Sequence, residues 1–388
     1  MEIKESIHIE HVGPIVDVHI PDVRPLTVLI GESAGGKSTI MKVLVLCRWL
    51  YKMYNFREYL RLSGISKSPF RFRMDAHLEY AGLLEYVGPR SKIQYTVSFG
   101  DGMEPFHVYV VNKSMTRGGK IPGGALGYRK LCYITETRGF VPNMLSSKSL
   151  RPKFDSLFEE MVENFEQAYK FLPELAMPCL GVNYFVERAA SGPKHYVSSM
   201  ESVSSPYKIE YRHSSSGIQN TVPVLLLAAF FSRYFDLRDA FNKALLTYLM
   251  GAEKLTDFKP VANPENMNKN VFLHLEEPEL GLFPDAQCGL MNELVKYCFS
   301  SASPMGLILT THSPYILNHL NLLIQAHDKG NVSFTDEASL RYEDVAVYHV
   351  DAGGIEDLKD FKSQRLINTN VLSDTMNDIY NRYEGLAR

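Results

Sequence analysis

The run Gly31-Glu32-Ser33-Ala34-Gly35-Gly36-Lys37-Ser38 follows an apolar stretch, Leu26-Thr27-Val28-Leu29-Ile30, and leads into an apolar segment from Lys37 to Tyr54. Strand, glycine loop and helix in that order are the setting in which a GxxxxGK[ST] pattern carries a mechanism. A phosphate offers several acceptor oxygens and needs backbone N–H groups aimed at it, so glycine is required wherever a side chain would block the approach. Gly31, Gly35 and Gly36 meet that need. Lys37 is expected to reach the β and γ phosphates, and the Ser38 hydroxyl to complete a Mg²⁺ shell with water and phosphate oxygens. A glycine turn capping a helix is the simpler alternative, yet average residue usage yields this pattern only about once in a hundred chains of this size. The expected nucleotide-binding set is Gly31, Glu32, Ser33, Ala34, Gly35, Gly36, Lys37, Ser38 and Thr39.

Outside this loop the composition is that of a globular protein. The 388 residues are 45% hydrophobic and 22% charged, with a net charge of −3, which excludes a mainly disordered, collagen-like or low-complexity chain. At this length a large α/β core with an inserted or appended lobe is expected. The longest uncharged apolar stretch, Val222 to Phe231, has ten residues, about half of what a membrane-spanning helix needs. No membrane partner is expected. The opening Met1-Glu2-Ile3-Lys4-Glu5 lacks a basic start followed by an apolar run, so a cytoplasmic location is expected. The five cysteines (Cys47, Cys132, Cys179, Cys288, Cys298) form no CxxC or Cys/His pair of metal spacing and read as reduced, packed thiols.

Charge is unevenly spread. Residues 48–130 carry 14 basic and 6 acidic side chains, and residues 251–388 carry 11 and 20. Two solvated faces that help copies or partners meet would account for this. So would a basic face that follows the phosphate backbone of DNA.

Ile7–Ile9 and Ile15–Ile20 read as strands ahead of the loop strand. Residues 55–92 are basic and aromatic with helical stretches. Strands are expected near Ile93–Phe99, Phe106–Val111 and Lys130–Ile134, with the glycine-rich 118–124 as a loop. An acidic helix from about Lys153 to Phe171, short strands near Asn183–Glu187 and Tyr207–Tyr211, and an apolar helix over Ile218–Phe235 follow. The last third alternates Val271–Leu275, Asp285–Phe299, Gly306–Thr310, Pro314–Ala326 and Val345–Val350 as strand and helix, which argues for a parallel sheet.

Two of those strands end in chemically active residues. Val271-Phe272-Leu273-His274-Leu275 runs into Glu276-Glu277-Pro278. Beside a phosphate loop, the first acid would hold Mg²⁺ through water and the second would polarise the attacking water. Taken alone, a strand running into an acidic turn reads as well. Leu307-Ile308-Leu309-Thr310-Thr311 ends at His312. A lone strand-end histidine is more often structural, but on a strand neighbouring the acidic one it could donate to the γ-phosphate. Ser214-Ser215-Ser216-Gly217-Ile218-Gln219, ahead of the long apolar helix, is by itself a serine-rich N-cap.

Phosphate loop, serine-glycine-glutamine turn, acidic strand and strand-end histidine, in that chain order, resemble the ABC-type ATPases from about residue 6 to residue 330. The resemblance is strongest to the soluble branch that includes the RecF and SMC proteins and the ATPase half of the OLD (overcoming lysogenization defect) nucleases. Glu276-Glu277-Pro278-Glu279-Leu280 looks like that branch's "EEPE" strand end, and Thr311-His312-Ser313-Pro314 like its "THSP" switch. Ile9-Glu10-His11-Val12-Gly13-Pro14-Ile15 is similar to its opening strand pair. The resemblance implies a P-loop head of α/β class with a mixed and parallel core sheet, an N-terminal antiparallel β subdomain and an inserted helical lobe. It divides a single head into residues 1–54 plus 93–140 as nucleotide-binding core and antiparallel part, 55–92 as basic insertion, 141–260 as helical signature lobe, and 261–388 as the half with the acidic strand, the histidine and a C-terminal extension.

The resemblance also implies roles. Ser215, Ser216, Gly217 and Gln219 would contact the γ-phosphate of ATP held by another copy, so that ATP joins two heads. Glu277 and His312 would be catalytic, Ser38 and Glu276 would hold Mg²⁺, and residues 279–283 would cross the interface between copies. Tyr133-Ile134-Thr135-Glu136-Thr137-Arg138 resembles an "IPAER" strand end, which puts Glu136 and Arg138 in support of the site, against the alternative of an ordinary buried ion pair. Three positions depart from the pattern: Ser33 where asparagine is usual, Ile218 in place of a second glycine, and Glu276 where aspartate is more frequent. No heptad arms separate the halves, unlike SMC proteins. Some 76 residues follow His312, fewer than the nuclease domain of OLD enzymes occupies. The expectation is therefore an ATPase, using ATP and Mg²⁺, that controls a separately encoded nuclease or toxin, as relatives do in anti-phage defence. A slowly hydrolysing ATP-loaded scaffold and a RecF-like DNA-repair ATPase are the alternatives.

Overall fold

The computed structural model describes residues 3–65, 72–100, 102–146, 155–190, 192–200, 206–251, 254, 257–259, 268–299, 305–359, 365–370 and 374–386. In chain order the strands are β1 (Lys4–Val12), β2 (Ile15–Ile20), β3 (Leu26–Gly31), β4 (Val87–Ser98), β5 (Phe106–Val111), β6 (Ser114–Gly118), β7 (Gly127–Ile134), β8 (Glu174–Met177), β9 (Val182–Ala189), β10 (Gly192–Ser199), β11 (Lys208–Glu210), β12 (Asn268–Glu276), β13 (Gly306–Thr311), β14 (Val345–Asp351) and β15 (Gly354–Asp357). The helices are α1 (Lys37–Leu62), α2 (Met74–Tyr80), α3 (Val141–Ser146), α4 (Ser156–Phe171), α5 (Ser216–Arg233), α6 (Leu237–Gly251), α7 (Pro284–Phe299), α8 (Pro314–Lys329) and α9 (Asp374–Leu386).

These elements form an α/β fold around a six-stranded sheet of order β15-β14-β3-β13-β12-β7, flanked by a five-stranded antiparallel sheet, β2-β1-β4-β5-β6. Strands β14, β3, β13, β12 and β7 are mutually parallel and β15 closes one edge antiparallel. A parallel sheet is buried on both faces, and alternate residues of its strands enter two different cores. Leu26, Val28, Ile30, Leu307 and Leu309 face α4, α5, α7 and α8, while Leu29, Ile308 and Tyr133 face α1, α6 and the antiparallel sheet. The five side chains Leu225, Leu226, Leu227, Phe230 and Phe231 of α5 are buried, each stabilising the fold by about 2 kcal/mol. The register places the carboxyl ends of β3, β13 and β12 level, with Leu29 beside Thr310 and Thr310 beside Glu276.

Several sequence expectations are corrected. In residues 141–260 the strands expected near 183–187 and 207–211 are present as β9 and β11, and β8 and β10 join them in a four-stranded antiparallel sheet, β11-β10-β9-β8. This lobe has no separate core, because Leu175, Met177, Tyr184 and Val197 join the cluster built on the central sheet. The expected boundary at residue 55 falls inside α1, which continues to Leu62 because Phe56, Tyr59 and Leu60 extend its buried face. Likewise β4 begins at Val87, not Ile93. Strands β6, β8, β10 and β15 were not expected: each is short or carries little apolar alternation. Residues 153 and 154 of the expected acidic helix, and 66–71 of the basic segment, lie outside the described residues.

The basic segment is also less basic at its surface than its composition implies. Arg48 and Arg129 are buried, and both bind Glu5 of β1, at 2.8 Å from Arg48 Nε and 2.6 Å from Arg129 Nη1. Arg48 Nη1 lies 3.1 Å from His274 Nε2, and its guanidinium covers the Phe272 ring at 4.0 Å. This buried ion group ties the antiparallel sheet to α1 and to the strand that carries the acids. Burial alone would raise the Glu5 pKa, but Arg129 and then Arg48 outweigh it and hold the carboxyl down at about 2.

Candidate functional site

The loop between β3 and α1 has the backbone its glycines permit. Gly36, the N-cap of α1, is at φ 104°, and a Cβ there would run into the Ile15 side chain. A Cβ on Gly31 would strike the Val350 carbonyl of β14. Ala34 takes φ 63°, in the left-handed region where a non-glycine residue costs about 1 kcal/mol or more. Glu32, Ser33, Ala34 and Ser38 reach the surface, whereas Lys37 and Thr39 are buried. Lys37 Nζ donates to the carbonyls of Gly31 at 2.9 Å and Glu32 at 2.7 Å. An ammonium has three donors, so one is left for a ligand above the loop. Burial lowers the Lys37 pKa, and the nearby carboxylates of Glu277 and Glu279 pull it back up.

Glu276 ends β12, buried at the head of α1. Its Oε2 accepts from the Glu136 backbone N–H at 3.3 Å, and the Glu136 carboxyl and the Ser38 hydroxyl are near enough to shift its titration. Burial, and then Glu136, push its pKa up to about 7, while the hydrogen bond to Glu276 lowers that of Glu136. Of the two carboxyls, Glu276 is the one that takes up a proton more readily. A hydroxyl and two neighbouring carboxyls are oxygen donors of the kind that suit a hard divalent cation, which binds in competition with protons. Among the described residues no group of three or more His, Cys, Asp or Glu could hold a metal ion. Ser38 and Glu276 would thus need phosphate and water oxygens to complete a Mg²⁺ shell, as that ion commonly does.

Glu277 follows in a constrained backbone, φ 43°, ahead of Pro278, which restricts it further. Its N–H donates to the Thr310 carbonyl at 2.9 Å. Its Oε1 lies 3.4 Å from His312 Nε2, with both side chains a third exposed. His312 is itself held by Glu279, whose Oε1 accepts from the His312 N–H at 2.6 Å and from Thr311 Oγ1 at 2.8 Å. The resemblance puts Glu279 in the "EEPE" strand end and at the start of the loop between copies, and assigns it no contact with the histidine. Its tie to the histidine turn depends on β12 and β13 being neighbours, and no local spacing signals that.

Arg138 does not line the open site. It is fully buried and spends its donors on four main-chain carbonyls: Thr135 (3.0 Å), Glu276 (2.6 Å), Glu277 (2.6 Å) and Asn220 (3.0 Å). Burial pushes its pKa down to about 10, opposed by Glu279, Glu276, Glu277 and Glu136, so it stays charged at neutral pH. Glu136 and Arg138 are therefore not partners in an isolated ion pair.

Ser215 is the N-cap of α5, and both it and Ser216 are exposed. Gly217 is buried against the loop after the acids, where a Cβ would sit 2.6 Å from the Gly281 carbonyl. The Gln219 amide nitrogen donates back to Arg212 (3.0 Å) and Ser214 (2.9 Å) and shapes its own turn. Phe283, at the end of that loop, is 75% exposed.

No family model matches the chain. No curated protein matches it either. Among solved structures, the chain is similar to an SMC head domain from Thermotoga maritima, at 12% identity, covering 93% of this chain and all of that one with a TM-score of 0.35. It is similar to a structure of the recombination mediator protein RecF with ATP, at 12% identity, 92% and 100% coverage and a TM-score of 0.36. It is also similar to an ATP-binding cassette of an ABC transporter in its ADP conformation, at 13% identity, 91% and 89% coverage and a TM-score of 0.30.

Proposed function

We propose that this chain binds and hydrolyses Mg²⁺-ATP as an ABC-type ATPase whose complete site forms between two copies. One observation carries the reading: the phosphate loop, Glu276, Glu277 and His312, far apart in sequence, converge at the level carboxyl ends of three adjacent parallel strands. The loop amides and Lys37 would bind the β and γ phosphates. Ser38 and Glu276 would hold Mg²⁺, whose charge offsets that of the phosphates. Glu277 would take a proton from the attacking water, and His312, within 3.4 Å of that carboxylate, would orient it and donate to the γ-phosphate. Ser215 and Ser216 are exposed beside a buried glycine, as a surface turn offered to a second copy would be, and exposed Phe283 suits the same contact.

Within that reading, the ATP cycle controls a separately encoded nuclease or toxin, in the manner of OLD-like defence ATPases in the cytoplasm. The Glu277–His312 pair supports turnover over a passive ATP-loaded scaffold. Phosphate release by the wild type and by Glu277→Gln, with and without DNA, tests it. A wild-type rate well above that of the variant is expected. Equal rates would remove the enzyme, and stimulation by DNA that weakens with salt would favour the DNA-repair alternative. Co-expression with the products of neighbouring reading frames tests the effector: an ATP-dependent complex is expected, and no complex in either nucleotide state counts against it.

A further inference from the structure

We propose that Arg138 is a positioning residue that couples the N-terminal turns of α5 to Glu277, so that displacement of the Ser215–Gly217 turn is felt at the carboxylate. The inference rests on the ATPase reading above. Arg138 Nε donates to Asn220, three residues past Gly217, while Nη1 and Nη2 donate to the carbonyls of Glu276 and Glu277. A single planar fork therefore spans α5 and the end of β12. Every acceptor is main chain, so what the guanidinium fixes is where these backbones run.

Two further observations fit that role. Glu277 sits at φ 43°, a conformation that persists only where its surroundings over-determine it, and the Arg138 bond to its carbonyl is one of those constraints. The same end of α5 touches the far side of the acidic turn directly, through Gly217 against Gly281. The turn 277–281 is thus held at both ends by α5, once through Arg138 and once by close contact. A buried cation is an expensive way to hold a loop if rigidity is all that is needed. Arginine supplies five donors at fixed angles, and no apolar side chain could satisfy these four carbonyls together.

The test compares the wild type with Arg138→Lys, which keeps the charge and loses the fork, and Arg138→Met, which loses both. Binding of a fluorescent ATP analogue with Mg²⁺, kcat, KM and thermal midpoint are measured for each. For Arg138→Lys the expected result is analogue affinity within about threefold of wild type and kcat lower on the order of 100-fold, the effect of a misplaced catalytic group. A merely structural role would lower the midpoint and leave kcat per folded molecule unchanged; that outcome, or equal losses in affinity and turnover, overturns the proposal. If Arg138→Met does not fold, hydrogen exchange of the wild type answers the same question. Adding the Mg²⁺-bound analogue should change protection of peptides covering 274–282 and 214–224 together, and a change confined to the first overturns the coupling. Wild-type turnover that Glu277→Gln leaves intact would instead sink the ATPase reading itself, whatever Arg138 does.

Discussion

Glu277 Oε1 and His312 Nε2 face each other at 3.4 Å across the ends of two adjacent parallel strands, although 35 positions separate them in the chain. Their backbones are set by different partners. Arg138 and the Thr310 carbonyl hold Glu277, and Glu279 holds His312. The pair is therefore a product of strand order, with each member anchored to the sheet by main-chain contacts and its side chain left a third open.

Replacing Glu277 by glutamine keeps size and hydrogen bonding and removes the carboxylate proposed as the base. Nucleotide binding should persist while turnover falls about 10²- to 10⁴-fold, the usual contribution of a general base. With ATP and Mg²⁺ present, the variant should elute from gel filtration as a species larger than the monomer. A variant that always elutes as a monomer would exclude a site shared between copies.

Lys37→Ala removes the buried ammonium that spans the Gly31 and Glu32 carbonyls. Charge-assisted contacts to phosphate contribute about 2–3 kcal/mol, and the loop loses its brace as well. Isothermal titration should show ATP affinity reduced by about 100-fold or more. Unchanged affinity would contradict the placement of phosphate on this loop.

Gly217→Ala puts a methyl 2.6 Å from the Gly281 carbonyl. Backbone must move there, at about 1–3 kcal/mol. The variant should melt earlier and turn over more slowly while binding ATP on its own loop with near-wild-type affinity. Full activity with normal stability would show that α5 and the acidic turn need not touch.

Glu5 predicts an acid limb in stability unrelated to catalysis. Its carboxyl titrates at about 2 in the folded chain against an ordinary 4.5, so the stability it confers is complete above about 4.5 and drains as pH falls towards 2, amounting to about 3 kcal/mol. Glu5→Gln should flatten that part of the curve. It should also cost about 3–5 kcal/mol at neutral pH, because Arg48 and Arg129 lose their buried counter-charge. Urea melts between pH 3 and 7 measure both effects, and superimposable curves for the two proteins would refute the ion group's role.

The glycine loop between strand and helix, the two acids at a strand end and the strand-end histidine are legible in the amino-acid order because each is a local pattern: closely spaced glycines, and short apolar runs that end in a polar group. The parallel sheet was legible for the same reason, since strand and helix alternate over the last third. What brings Glu277 to His312 and Glu136 to Glu276 is the lateral order of β13, β12 and β7, and what brings Arg138 to Asn220 is the packing of α5 against the segment after β7, long-range choices that no window of sequence encodes. Within 141–260, β9 and β11 are legible but β8 and β10 are not, because their apolar residues find partners in the central core and carry little alternation of their own. Arg48 and Arg129 count as surface charge in any composition, and only the tertiary structure brings Glu5 between them and takes all three out of water.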